Sequence, residues 1–383
     1  STSQVSLPSQ TGAIDDIMDQ SERAARERTL SIPDGTYEAE SFMDDDGVDI
    51  GKHIPIRVKV IVAGDRMTVD LSNVSKQVRG FYNSGPTTGY GASQVAFKCL
   101  TSPTDYPIND GSFRALEVIN PPGRVVSAVR PAPMRSWMTV PMTVVDTIFK
   151  ALAPAIPDRV IAGHFADLGN ATMFGFVPDE GRMIITSTGP IGGGWGAKKT
   201  EDGVSATVCI NDGDTHNSPV ELMETKYPIV YERYGLVPDS GGAGTFRGGL
   251  GSQLAVRLRK DLNFSTRIER MQCPPWGLEG GQDGFGNRVE LDMVGVDNPE
   301  MVNAKVFTAR LKAGDLFRVR GGGGGGFGPP WERPAEKVQE DVRQGYVTLE
   351  SAKANYGVLL DSETLEINHE ESDRLRAQLA AAA

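Results

Sequence analysis

The sequence predicts an α+β protein, with a β-rich middle carrying glycine-rich loops and helices at both ends. Three observations carry this. Apolar residues recur at helical spacing near both termini. Short runs rich in β-branched residues crowd the middle. The 45 Gly and 24 Pro of 383 residues fall in tight clusters between apolar runs, as turns and close backbone approaches require. Four stretches are expected: a flexible arm over 1–12, a mixed α/β part over 13–178, a β-rich domain over 179–330 and a helical C-terminal part over 331–383.

The arm is small, polar and marked by Pro and Gly. From Ala13, the residues Ile14, Ile17, Met18, Ala24 and Ala25 keep helical spacing among charges and stop before Pro33. Residues 53–60 and 67–71 alternate in polarity on either side of Gly64-Asp65, a strand-turn-strand pattern. Helical spacing returns over 91–100 and 141–153, and between them 113–119 and 124–129 read as short strands around Pro121-Pro122-Gly123. Further strands are expected at 183–187, 206–210, 253–258, 263–268, 289–293 and 316–319, with helices at 334–343, 349–354 and 370–382.

A formal charge of -11 at pH 7 offers no basic face to nucleic acid or to a membrane surface. No apolar run approaches the ~20 residues of a membrane helix. The three cysteines, Cys99, Cys209 and Cys273, are far apart and show no CxxC spacing, which disfavours structural zinc and points to a reducing, cytoplasmic setting. GxSxG and HExxH are absent.

The densest polar segment runs from Asn211 to Glu224. It holds Asp212, Asp214, His216 and Asn217, then Glu221 and Glu224 three residues apart, on one face if the chain is helical after Pro219. Carboxylates beside an imidazole can bind a divalent ion or move protons. An Asx-rich turn leading into an acidic helix start accounts for the same residues structurally. The spacing is not that of a calcium loop, because the sixth position is Asn217 and the twelfth Met223. If this segment touches a reacting group, Glu221 or Glu224 is the general base or orients water, His216 carries a proton or ligates, and Asn217 donates to an oxyanion. His164 and Asp167, three apart, are the second candidates, for an ion or for proton transfer. The six glycines 321–326 lack a following Lys-Ser/Thr, so they are no phosphate loop. They are expected to thread a crowded interface between strands or subunits, and to support hetero-oligomer assembly.

Together these segments resemble the hydantoinase B / 5-oxoprolinase / acetone carboxylase B-type subunit family, from Ala13 to about Leu365. The resemblance is carried by Val144-Val145-Asp146-Thr147-Ile148, by the stretch Ala151 to Arg159, by Gly192-Gly193-Gly194-Trp195-Gly196-Ala197, by Asn217 to Glu224, and by Pro238 to Gly251. It implies one subunit of an ATP-dependent cyclic amide hydrolase acting on a small-molecule hydantoin, oxoproline or related lactam. ATP and Mg would sit on a hydantoinase A-like partner of actin-like fold. An ATP- and bicarbonate-dependent ketone carboxylase subunit and a non-catalytic assembly scaffold are the alternatives. Family members usually begin with an Asp/His-rich region that this sequence lacks. The divalent metal, Zn or Mn, is therefore expected on another chain that supplies the region, or on a missing N-terminal part.

Overall fold

The computed structural model describes residues 7–102, 108–210, 213, 215–298, 300–303, 305 and 308–382. The chain forms two compact units that meet in sequence at Val160/Ile161, eighteen residues before the expected boundary at 178.

In the first unit, helix α1 (Leu7–Leu30) begins six residues earlier than the spacing suggested, and residues 1–6 of the expected arm lie outside the described residues. Its buried face is small: Ser21, Ala25 and Thr29, four residues apart, let it lie close to a 3-10 turn at Asp110–Phe113. A Cβ on Gly111 would overlap the Met18 carbonyl. Strands β1 (Gly35–Met43), β2 (Ile54–Ala63), β3 (Arg66–Asp70) and β4 (Leu116–Ile119) form one sheet in that order, antiparallel except for the β3–β4 pair. Strand β2 buries Ile54, Ile56, Val58, Val60 and Val62 on one face, the alternation expected of a half-covered sheet. Helices α2 (Pro86–Thr101) and α3 (Thr139–Leu152) pack together, and α3 lies against β1 and β2. Nearly every side chain of α3 is buried, as a helix apolar on all sides requires. The run 124–129 is not a strand. It makes one bridge, Lys76 to Arg124, because Pro121, Pro122 and Pro131 on its flanks withdraw the N–H groups of a longer ladder.

The second unit holds two antiparallel sheets. One has β5 (Ala171–Val177), β6 (Arg182–Thr188), β9 (Leu262–Thr266) and β12 (Ala309–Leu311) in the order β12-β9-β5-β6. The other has β7 (Ile229–Leu236), β8 (Ser252–Leu258), β10 (Arg288–Asp292), β11 (Glu300–Val302) and β13 (Leu316–Arg320) in the order β11-β10-β13-β8-β7. Met173, Ile184 and Phe264 of the first share a core with Leu254, Val256, Val289, Phe317 and Val319 of the second, and the Phe264 and Phe317 rings stand 4.7 Å apart. The run 206–210 is again no strand: Ala206 takes φ +49°, which breaks the pleat, and Thr207 makes a lone bridge to Gly193.

Beside the sheets, glycine segments build an arrangement with no side chains at its centre. The N–H groups of Gly323, Gly324, Gly325 and Gly326 donate in turn to the carbonyls of Phe285, Gly249, Gly163 and Gln282. Every third residue thus returns to the segment around 282–285, the three-residue repeat of an extended polyproline-II-like strand bonded on several sides. A Cβ on Gly323 would overlap the Ser240 carbonyl, and one on Gly324 the Trp195 carbonyl. The six-glycine run is buried inside its own chain. It offers no subunit surface, which corrects the expectation that it mediates assembly.

Helices α5 (Ala335–Arg343), α6 (Leu349–Tyr356) and α7 (His369–Ala382) close this unit, with Val338, Ala352, Tyr356 and Val358 packed around Ala243 of a glycine segment. Buried Arg333 fastens them. Its guanidinium donates 2.7 Å bonds to both oxygens of Asp202 and a 3.0 Å bond to Asp341. Burial alone would raise the Asp202 pKa, but the bidentate Arg333 overrides it and holds the carboxyl below its ordinary value.

Candidate functional site

Pro219 fixes the backbone ahead of α4 (Val220–Lys226), so the segment after it is helical as expected. The helix ends at Tyr227 and the chain runs on into β7. Along β7 the ladder with β8 slips between Tyr231, opposite Val256, and Arg233, opposite Ala255. Glu232 is the extra residue of a β-bulge. On a regular strand Tyr231 and Tyr234 would face opposite ways; the bulge turns both toward one pocket. Its walls are completed by Asn217 and Ser218 ahead of α4, Met223 of α4, Ser187 at the end of β6, and Leu254 of β8.

Asn217 donates its carboxamide N–H to the Tyr234 hydroxyl. Glu224 accepts the Tyr231 backbone N–H at 2.7 Å and so locks α4 to the bulge. Burial, with the neighbouring Tyr234 and Glu224, pushes the Tyr231 phenol up to about 12. Burial likewise raises Tyr234, opposed by the bond from Asn217. Both phenols are therefore protonated near neutral pH and serve as hydrogen-bond donors. Ser187 spends its hydroxyl proton on the Ala171 carbonyl at 3.2 Å; the two phenolic hydroxyls, the carboxamide and the Ser218 hydroxyl suit a carbonyl oxygen or the oxyanion formed from it.

Of the residues singled out in this segment, Asn217 lines the pocket, and Glu224 stands behind its wall on the Tyr231 N–H. Glu221 and His216 are exposed and do not line the pocket; Glu221 uses its backbone carbonyl to accept the Thr225 hydroxyl at 2.7 Å. Asn211, Asp212 and Asp214 lie outside the described residues. His164 and Asp167 are buried among the glycine segments. The His164 ring stands 6.2 Å from Phe165 and 6.3 Å from Trp195, edge on. The Asp167 carboxylate accepts the N–H groups of Leu168, Gly169 and Glu269, and Asn287 lies 3.5 Å away. Burial pushes it up to about 7 against those donors. Nearby, Lys305 and Glu269 form a fully buried pair at 2.9 Å. The bonds its carboxylate accepts tie Asp167 to the backbone at Glu269. Among the described residues no three His, Cys, Asp or Glu side chains converge to hold a metal ion.

Sequence reasoning missed Tyr231, Tyr234 and Ser187. An alternating reading of 229–234 separates the two tyrosines, and only the bulge unites them.

The hydantoinase B/oxoprolinase family model matches residues 2–330. The chain is 31% identical over 374 residues to the B-type subunit of a putative D-/L-hydantoinase from Pseudomonas sp. (strain NS671), covering 95% of this chain and 62% of that protein. Its backbone matches the crystal structure of the ATP-dependent caprolactamase from Pseudomonas jessenii with a TM-score of 0.87 and 27% identity, over 97% of this chain and 65% of that one. Nucleotide-free acetone carboxylase matches with a TM-score of 0.84 at 19% identity, over 94% of this chain and 55% of that one, a likeness of fold. The chain spans about three-fifths of the length of its hydantoinase and caprolactamase relatives. With the helices, the sheets and the glycine segments running through most of the matched span, the chain belongs to the hydantoinase B/oxoprolinase family.

Proposed function

We propose that this chain is the B-type component of an ATP-dependent complex that hydrolyses a cyclic amide, working with a hydantoinase A-like subunit that binds ATP and Mg. The observation that carries the reading is the likeness to the caprolactamase over nearly the whole chain. The acetone carboxylase likeness speaks to fold alone and leaves the hydrolase reading ahead of the ketone carboxylase.

In this reading the partner activates the lactam carbonyl and the pocket between α4 and β7, whose volume of about 10 Å³ admits one oxygen-sized atom, receives the carbonyl oxygen alone. Asn217 and the two neutral phenols donate hydrogen bonds to oxygen as it gains charge; Glu224 positions Tyr231. A divalent metal is placed in this reading on another chain of the complex, and no step is assigned to it. The test is lactam opening by the complex reconstituted with an A-type partner, ADP release being followed alongside. Asn217→Ala and Tyr234→Phe are each expected to lower turnover by ~10²–10³-fold, the cost of one oxyanion donor, with thermal unfolding unchanged. Near-wild-type rates in both would leave the assembly-scaffold reading in front.

A further inference from the structure

We infer that a cleft in the first unit binds the oxyanion group, phosphate or carboxylate, of a small molecule. The cleft, of about 410 Å³, lies beside the start of β2 and is walled by the loop after β1 and by residues 75–79. That volume suits a small metabolite.

The inference rests on which polar groups in the cleft are already engaged. Of its two carboxylates, Asp46 accepts the N–H groups of Val48, Asp49 and Gly80, and Asp49 takes the Arg79 guanidinium at 2.5 Å. Asp46 is thus engaged through both oxygens and Asp49 through one. The donors are not so engaged. Lys52 and Lys76 line the same cleft, and neither ammonium enters an ion pair or hydrogen bond with a described residue. Gln77 fixes its side-chain oxygen on the Val129 N–H at 2.9 Å, which leaves its NH₂ as a donor on the wall. His53 sends its Nδ1 to the Asp44 carbonyl at 2.8 Å, so the ring is oriented rather than loose. Two ammonium groups and a carboxamide NH₂ stand open against one carboxylate oxygen of Asp49, so the complementary ligand is an acceptor with negative charge.

The experiment is calorimetric titration of the whole chain at constant ionic strength with pyrophosphate and, separately, with citrate. Saturable binding of at least one probe at one site, with a dissociation constant at or below roughly 1 mM, is expected. A preference for pyrophosphate identifies a phosphate-bearing ligand, and a preference for citrate a carboxylate. The Lys52→Ala/Lys76→Ala double variant should weaken binding at least tenfold. Lys98→Ala, which removes one charge from α2 away from the cleft, should leave it unchanged. Both lysines are exposed, so folding is not at stake; matching unfolding curves for the variants establish this. No saturable binding of either probe, or equal weakening by Lys98→Ala, would overturn the assignment.

Discussion

A single inserted residue decides what the pocket between α4 and β7 contains. Without Glu232 as the bulge, Tyr231 would turn its ring away from Tyr234, and the two phenols would not share a ligand. Glu224 holds the bulge from behind through the Tyr231 N–H. Its part is therefore that of an acceptor, which a carboxamide also fulfils. Glu224→Gln is expected to keep activity within about threefold. Glu224→Ala, which leaves the Tyr231 N–H without its partner, should cost ~1–3 kcal/mol of stability and lower turnover with it. A general base behaves otherwise: Glu224→Gln alone would lose ~10²–10⁴-fold. Measuring both variants in the reconstituted complex separates a positioning residue from a base.

The elements divide by how locally their causes act. Strand β2 was legible because alternation of Ile54, Ile56, Val58, Val60 and Val62 is a local record of one buried face. Helices α3 and α6 were legible for similar reasons, α6 with Thr348 capping its start and Gly357, at φ +64°, ending it. The glycine segments are different. Sequence shows that Gly321 to Gly326 must meet other backbones closely, but not whose, because the partners at 163, 249, 282 and 285 lie far away along the chain. The same holds for the site: Asn217 and Glu224 could be singled out as chemical types, whereas the tyrosines facing them depend on a bulge that alternation hides. The packing also makes a test. Gly324→Val places a branched side chain onto the Trp195 carbonyl in a segment with no room to retreat. It should cost more than ~4–5 kcal/mol, enough to abolish the folded state. Gly181→Ala, in an open turn at φ +63°, carries only backbone strain and should cost far less. Denaturant unfolding of the two proteins checks the order; similar midpoints would mean that the glycine core can yield.

At the scale of the molecule, the contacts that hold residues 161–383 together begin and end within those residues. The shared core of the two sheets, the glycine segments, the Asp202–Arg333–Asp341 fastening and the pocket between α4 and β7 are all closed within that span. Arg333 matters most to this closure. Its partners Asp202 and Asp341 come from the glycine loops and from α5, and Arg376 of α7 donates to its carbonyl at 2.6 Å. A buried cation held by two carboxylates stabilises little against an apolar substitute, yet losing it leaves Asp202 with only the Arg247 N–H and Asp341 with only the Arg247 guanidinium at 3.6 Å, a loss of up to ~3–5 kcal/mol. A span with its own core and its own fastening meets the requirements of a domain. Residues 161–383 expressed alone are therefore expected to unfold in one cooperative urea transition, with the fluorescence of Trp195, Trp276 and Trp331 and far-ultraviolet dichroism changing together. Arg333→Met in the same fragment should shift that transition to lower urea without splitting it, since both of the arginine's partners belong to the same unit. Non-coincident transitions in the unmodified fragment would show that the second unit depends on residues before Ile161 for its fold.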